Sequence, residues 1–133
     1  MSRICVAPIE GKGRCVFAKR PIAKGEPIDT NYVLLFPIEQ HDEMKAPLAL
    51  YPLRWDKDFH CMALGAVSLA NHSSDAPNAS VQRCYAQLLI RLVAERDIEA
   101  GEEIVYDYKA PLWFEPKPPA RLNMETKNGI TCE

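Results

Sequence analysis

No apolar run in the sequence approaches the roughly 20 residues that a membrane-spanning helix needs. The opening MSRICVAPIE also lacks the apolar centre of a secretory signal, so the expectation is a cytoplasmic protein with no membrane partner. Neither sign of charge is in large excess. Sixteen Lys and Arg against 18 Asp and Glu leave a net charge of -2, which argues against broad binding to nucleic-acid phosphates and suits a basic protein or peptide. Cys-x-x-Cys is absent. The five cysteines, Cys5, Cys15, Cys61, Cys84 and Cys132, are odd in number and far apart, which speaks against a disulfide framework and a zinc cluster. The adjacent His60-Cys61 reads as a small buried thiol beside an imidazole, and no metal is expected. Eleven prolines spread along the chain exclude long helices through most of it.

The 133 residues, 47% hydrophobic and 26% charged, describe an ordinary globular chain with enough length for one buried core. Short β-rich runs recur at RCVFA (14–18), NYVLLF (31–36), AQLLIRLVA (86–94) and EEIVYDY (102–108). The one segment read as helix is MALGAVSLA (62–70), weakened by Gly65. An internal echo links AKRPIAKGEPI (18–28) with AERDIEAGEEI (94–104), both reading A-x-R-x-I-x-x-G-E-x-I. Each copy predicts a strand end, a turn with Gly25 or Gly101 at positive φ, and a new strand after Glu26 or Glu102. Two copies are too few for a solenoid and imply two similar corners in one mainly β domain. From Pro111 the chain turns polar and proline-rich around Trp113-Phe114 and should wrap the domain without regular structure.

Taken singly, the motifs are weak. GKGR (11–14) is a glycine turn without the rest of a dinucleotide fingerprint. LANHSSDAPNAS (69–80) has the Asn, Asp, Ser and Pro that a turn needs, but also His72, which no turn requires. A period of two through EEIVYDY puts Glu102, Ile104, Tyr106 and Tyr108 on one face and Glu103, Val105 and Asp107 on the other.

Their order is informative. From about Ile9 to Tyr108 the chain resembles the SET-domain family of protein lysine methyltransferases. GKGRCVFAKRPIAKGEPI is similar to the family's opening G-x-G-x-x-x-x-A-x-x-x-I-x-x-G-E-x-I. NHSSDAPN is similar to its Asn-His-Ser-x-x-Pro-Asn signature with one residue more, and GEEIVYDYK to its closing motif. The resemblance implies a fold of small, mostly antiparallel sheets with a C-terminal segment threaded under a loop as a pseudoknot. Residues 1–110 would form the domain, and 111–133 a tail completing the cofactor and lysine site.

The resemblance also implies S-adenosyl-L-methionine as cofactor, with Lys12, Gly13, Arg14, Asn71 and His72 in contact with it. It implies Tyr108 as the catalytic tyrosine beside the transferred methyl, and Tyr106 as the residue limiting how many methyl groups fit. A tyrosine at that position implies mono- or dimethylation. Tyr32 is similar to the channel tyrosine of the family's early strand, an ordinary strand aromatic being the other reading. Many members close the site with a C-terminal Cys-x-Cys zinc cluster. Cys132 stands alone, so Trp113 or Phe114 is expected to cover the adenine and finish the lysine channel, or else to plug a core edge.

The expected partner is a lysine-containing protein, a histone or histone-like substrate suiting the charge. A homodimer could enlarge the small surface available for reading it. The residues do not separate cytoplasmic from nuclear or host-cell action. Two rival readings remain: a catalytically silent module binding a basic peptide, and a cysteine hydrolase using Cys61 or Cys84 with His72 and Asp107.

Overall fold

Residues 3–109 and 118–122 are described by the computed structural model. The first two strands, β1 (Ile4–Ile9) and β2 (Gly13–Ala18), form a hairpin with Ile4 opposite Ala18 and Ile9 opposite Gly13. Its turn places Gly11 at φ 81° and Gly13 at φ 80°, conformations that L side chains avoid. A Cβ at Gly13 would meet nothing within 4 Å, so the dihedral angle and not crowding demands glycine there.

The remaining strands are β3 (Pro27–Pro37), β4 (Leu53–Arg54), β5 (Phe59–Ala63), β6 (Asn71–His72), β7 (Ala79–Cys84), β8 (Leu89–Ala94) and β9 (Val105–Tyr106). They form one sheet in the order β4-β5-β3-β8-β7-β9-β6. Pairing is antiparallel except at one end, where β9 runs parallel to both β6 and β7. Strand β9 thus lies between two strands that residues 73–78 connect, the threaded arrangement expected of the family. Ile22, Ile28, Trp55, Val67, Ile90, Leu92, Ile98 and Ile104 make up much of the main core. Period-two patterning is clearest in β8, where Ile90, Leu92 and Ala94 alternate with half-buried neighbours.

The two echoed corners pair with each other. Ile22 and Ile98 exchange both backbone hydrogen bonds, at 2.9 and 2.8 Å. The Gly25 N–H donates to the Ala94 carbonyl and the Gly101 N–H to the Ala18 carbonyl, both at 2.8 Å. Arg20 meets Glu26 at 3.3 Å, and Arg96 meets Glu102 at 3.0 Å. Gly25 and Gly101 sit at φ 85° and 90°. The repeated pattern therefore encodes a local two-fold pair of turns.

Three expectations need correction. Segment 62–70 is not a helix: it contains the end of β5 and a single 3₁₀ turn over Ala66–Leu69. The Val67 N–H donates to Asn31 Oδ1 at 3.0 Å and the Ala66 N–H to Asp29 Oδ2 at 3.2 Å, so β3 supplies the acceptors that cap this turn. A Cβ at Gly65 would collide with the Asn31 amide. The only described α-helix is instead α1 (Ile38–Asp42), which follows Pro37. EEIVYDY is strand only at Val105–Tyr106, and its two faces do not divide into core and solvent. Glu103, Ile104, Val105 and Tyr106 are all buried, because the threaded segment is covered on both sides. Cys5 is disulfide-bonded, against the reading that disfavoured disulfides, whereas Cys15, Cys61 and Cys84 are free thiols.

Candidate functional site

The parallel pairing sets Asn71 opposite Val105 and His72 opposite Tyr106, which brings the middle loop and the closing motif side by side. Asn78, 2% exposed, locks the threading. Its Nδ2 donates to the Glu103 carbonyl at 2.8 Å, and its Oδ1 accepts the Val105 N–H at 2.9 Å. The Ser73 N–H donates to the Tyr106 carbonyl at 3.0 Å, and Ser73 Oγ accepts the Ala76 N–H at 3.1 Å. The additional residue of this loop is taken up in the exposed stretch 74–77, and Asn78 keeps its hold on the threaded strand.

Three aromatic rings meet behind this junction. The His72 and Tyr108 centroids are 5.0 Å apart, and those of Tyr106 and Tyr108 are 4.9 Å apart. His72 Nδ1 accepts the Tyr108 N–H at 3.0 Å, which leaves the ring proton on Nε2. The 3.8 Å approach of Asp107 to that same nitrogen is therefore a neighbourly contact and not an ion pair. The Tyr108 hydroxyl donates to the Ala70 carbonyl at 2.7 Å. Burial, then the Glu103 charge, pushes the Tyr108 phenol up to about 12. Burial likewise raises Tyr106, with Tyr108 adding to it. Both phenols therefore keep their protons at neutral pH, which leaves their oxygens able to accept hydrogen bonds but not to act as phenolate bases.

On the other side of Asn71 lies a polar cluster that the sequence did not disclose. Asn71 Nδ2 donates to Glu103 Oε2 at 2.7 Å and to Cys15 Sγ at 3.2 Å. Glu103 Oε1 takes Lys12 Nζ at 2.5 Å and the Ala120 N–H at 2.8 Å. Lys12 Nζ also donates to the Pro118 carbonyl at 3.1 Å. The described part of the tail thus closes over Glu103. A cavity of about 220 Å³, lined in part by Asn78, Glu103, Val105 and Ala120, lies alongside this cluster and does not include the aromatic rings. In the sequence only the echo singles Glu103 out: it stands where the first corner has Pro27.

Other expected residues lie apart. Arg14 is exposed on β2, and Tyr32, 70% exposed on β3, shares no ring contact or side-chain hydrogen bond with the tyrosine pair among the described residues. Trp113, Phe114 and Cys132 fall outside the described residues. Among the described residues no three His, Cys, Asp or Glu side chains group as a metal site. The cysteine-hydrolase reading finds no support. Burial holds the Cys61 thiol at about 11, and no described hydrogen bond links Cys61 or Cys84 to His72.

Comparison with known proteins points the same way. The SET domain family model matches residues 13–109. A Schizosaccharomyces pombe histone-lysine N-methyltransferase, H3 lysine-37 specific, is 32% identical over 108 residues, covering 80% of this chain and 73% of its own. A Cryptococcus neoformans histone-lysine N-methyltransferase, H3 lysine-4 specific, is 46% identical over 70 residues, 50% of this chain but only 5% of that protein's length. In fold, the chain is similar to the Chaetomium thermophilum Polycomb Repressive Complex 2 bound to S-adenosylmethionine. The TM-score is 0.64 at 20% identity, over 81% of this chain and 15% of that one. No described helix is long and apolar enough to cross a membrane. Because the family match spans Gly13 to Lys109, and with it both halves of the threaded junction, the chain belongs to the SET-domain family of protein lysine methyltransferases.

Proposed function

We propose that this chain transfers a methyl group from S-adenosyl-L-methionine to the ε-amine of a lysine in a protein, a histone-like target being the substrate class that its relatives suggest. The observation that carries the reading is the junction itself: Asn71-His72 hydrogen-bonded beside Val105–Tyr106, with Tyr108 turned back onto His72 and Ala70. The residues present fit the cofactor. Open space over Gly13 admits a ligand against the backbone, and exposed Arg14 beside it offers a cation for a carboxylate, the Lys12 ammonium being taken up by Glu103. Asn71 Oδ1, which accepts nothing among the described residues, offers an acceptor for an ammonium. When bound, S-adenosylmethionine would supply an electrophilic methyl: a neutral lysine amine would attack its carbon in line as the C–S bond breaks and the neutral thioether leaves.

A free lysine has a pKa of about 10.4 and is almost wholly protonated at pH 7. The aromatic walls of Tyr106 and Tyr108 lower it by excluding water. The Tyr108 oxygen, its proton committed to Ala70, is left to accept an N–H from the amine and aim the lone pair. Tyr106, buried against Tyr108, narrows the space for a methylated amine, which supports mono- or dimethylation. Tyr32 is assigned to the outer rim of the channel on its exposure, and a homodimer remains a proposal for enlarging the peptide surface.

Calorimetric titration with S-adenosylmethionine tests the reading. Saturable binding that Asn71→Ala weakens is expected, and no binding by the native chain would overturn it. For product state, Tyr106→Phe should shift the mass-spectrometric product distribution towards higher methylation. An unchanged distribution would remove Tyr106 from that role.

A further inference from the structure

We infer that Glu103 is a positioning residue that fixes which way the Asn71 amide faces and so sets the affinity for the amino-acid end of the cofactor. This deepens the proposed function and rests on it. An asparagine amide has a donor end and an acceptor end of nearly equal size, and only its partners decide the orientation. A carboxylate can only accept, so Glu103 Oε2 at 2.7 Å compels Asn71 to turn its Nδ2 inward. The second Nδ2 hydrogen points to Cys15 Sγ, whose own thiol lies 3.6 Å from the Gly13 carbonyl and donates to it. Burial holds that thiol at about 11, so it stays a neutral donor. Both inward partners therefore agree, and Oδ1 is left facing the cofactor side as an acceptor.

Glu103 can keep this role because its own charge is satisfied. It is 1% exposed, and a buried carboxylate needs a cation and donors to stay ionised. Lys12 Nζ and the Ala120 N–H fill Oε1, which leaves Oε2 for Asn71. One carboxylate therefore joins the glycine turn, the Asn71 strand and the tail. The ligand chemistry selected is an α-ammonium group, a cation whose N–H donates to the outward-facing Oδ1.

The test compares native chain, Glu103→Gln, and the double variant Glu103→Gln with Asn71→Asp. With Lys12 and the Ala120 N–H still on Oε1, the single variant turns a Gln donor towards Asn71, which then faces inward with Oδ1 and presents Nδ2 to the cofactor. It should raise the S-adenosylmethionine Kd and KM about tenfold or more, with kcat at saturation changed less than about twofold. The double variant restores one donor facing one acceptor inward and again turns an oxygen outward. It should bind within about threefold of native, a rescue that a purely structural carboxylate would not show.

Native and Glu103→Gln binding alike, or a folded double variant still tenfold weaker than native, would overturn the inference while leaving the methyltransferase reading intact. A native chain that does not bind would sink both. If Glu103→Gln melts too early to titrate, the double variant alone decides by the same criterion.

Discussion

The corners at 18–28 and 94–104 share sequence, turn geometry and even their mutual hydrogen bonds, yet only the second one reaches the candidate site. After the common Glu, the first continues through exposed Pro27 into β3. The second continues through buried Glu103 into β9. The scaffold of the two turns is therefore generic. What differs is the next residue and what packs on it: Asn78 from the middle loop, Lys12 from the hairpin turn, and Pro118–Ala120 from the tail. Chemistry at the second corner comes from segments far away in sequence that converge on it.

The largest expected contrast is at the threading contact, which the first corner lacks. Asn78→Ala would leave the buried Val105 N–H and Glu103 carbonyl without their partners. It should cost about 3 kcal/mol, at about 1–3 kcal/mol per orphaned group, read by denaturant unfolding. A loss below about 1 kcal/mol would mean that the threaded strand is held by other contacts.

Smaller and more symmetrical effects should follow at the turns. Gly25→Ala and Gly101→Ala each force a left-handed conformation on a side chain and should each lose about 1–2 kcal/mol. Only Gly101→Ala should also weaken S-adenosylmethionine binding, since its turn leads directly into Glu103. Equal effects on binding would erase the functional difference between the corners.

The smallest contrast concerns charge. The Glu102 carboxyl is held below its ordinary value of 4.5, first by hydrogen bonds from Arg96. Glu26 is also lowered, but first by the Ala23 backbone N–H and then by Arg3. A lowered folded-state value gives stability that is present above about pH 4.5 and lost as the pH falls further. Arg96→Ala should flatten this acid-side loss, whereas Arg20→Ala should barely alter it. At neutral pH each should change stability only slightly, because both arginines are half-exposed and water screens the pairs.

Local features of the sequence were the legible ones. Gly25 and Gly101 announced their positive φ through the repeated pattern, and β2, β3 and β8 through short branched or aromatic runs. Asn71, His72, Tyr106 and Tyr108 could be singled out by resemblance, but their adjacency depends on parallel pairing across more than thirty residues, which no periodicity encodes. The 3₁₀ turn at 66–69 is not legible locally, because the acceptors that cap it, Asp29 and Asn31, lie on β3. Period two only puts Glu103 on the face opposite Tyr106 and Tyr108, because the pattern carries no sign that a strand will be covered on both faces. Its partners Lys12 and Ala120 come from opposite ends of the chain.

If the threaded junction delivers a lysine amine to the cofactor beneath the Tyr108 hydroxyl, that oxygen is indispensable to the transfer. Mass spectrometry of lysine-rich histone peptides, incubated with S-adenosylmethionine and either native chain or Tyr108→Phe, tests it most directly. The expected result is methyl-lysine from the native chain and a rate at least about a hundredfold lower from a folded Tyr108→Phe. Methylation at equal rates by both, or by neither, would contradict it.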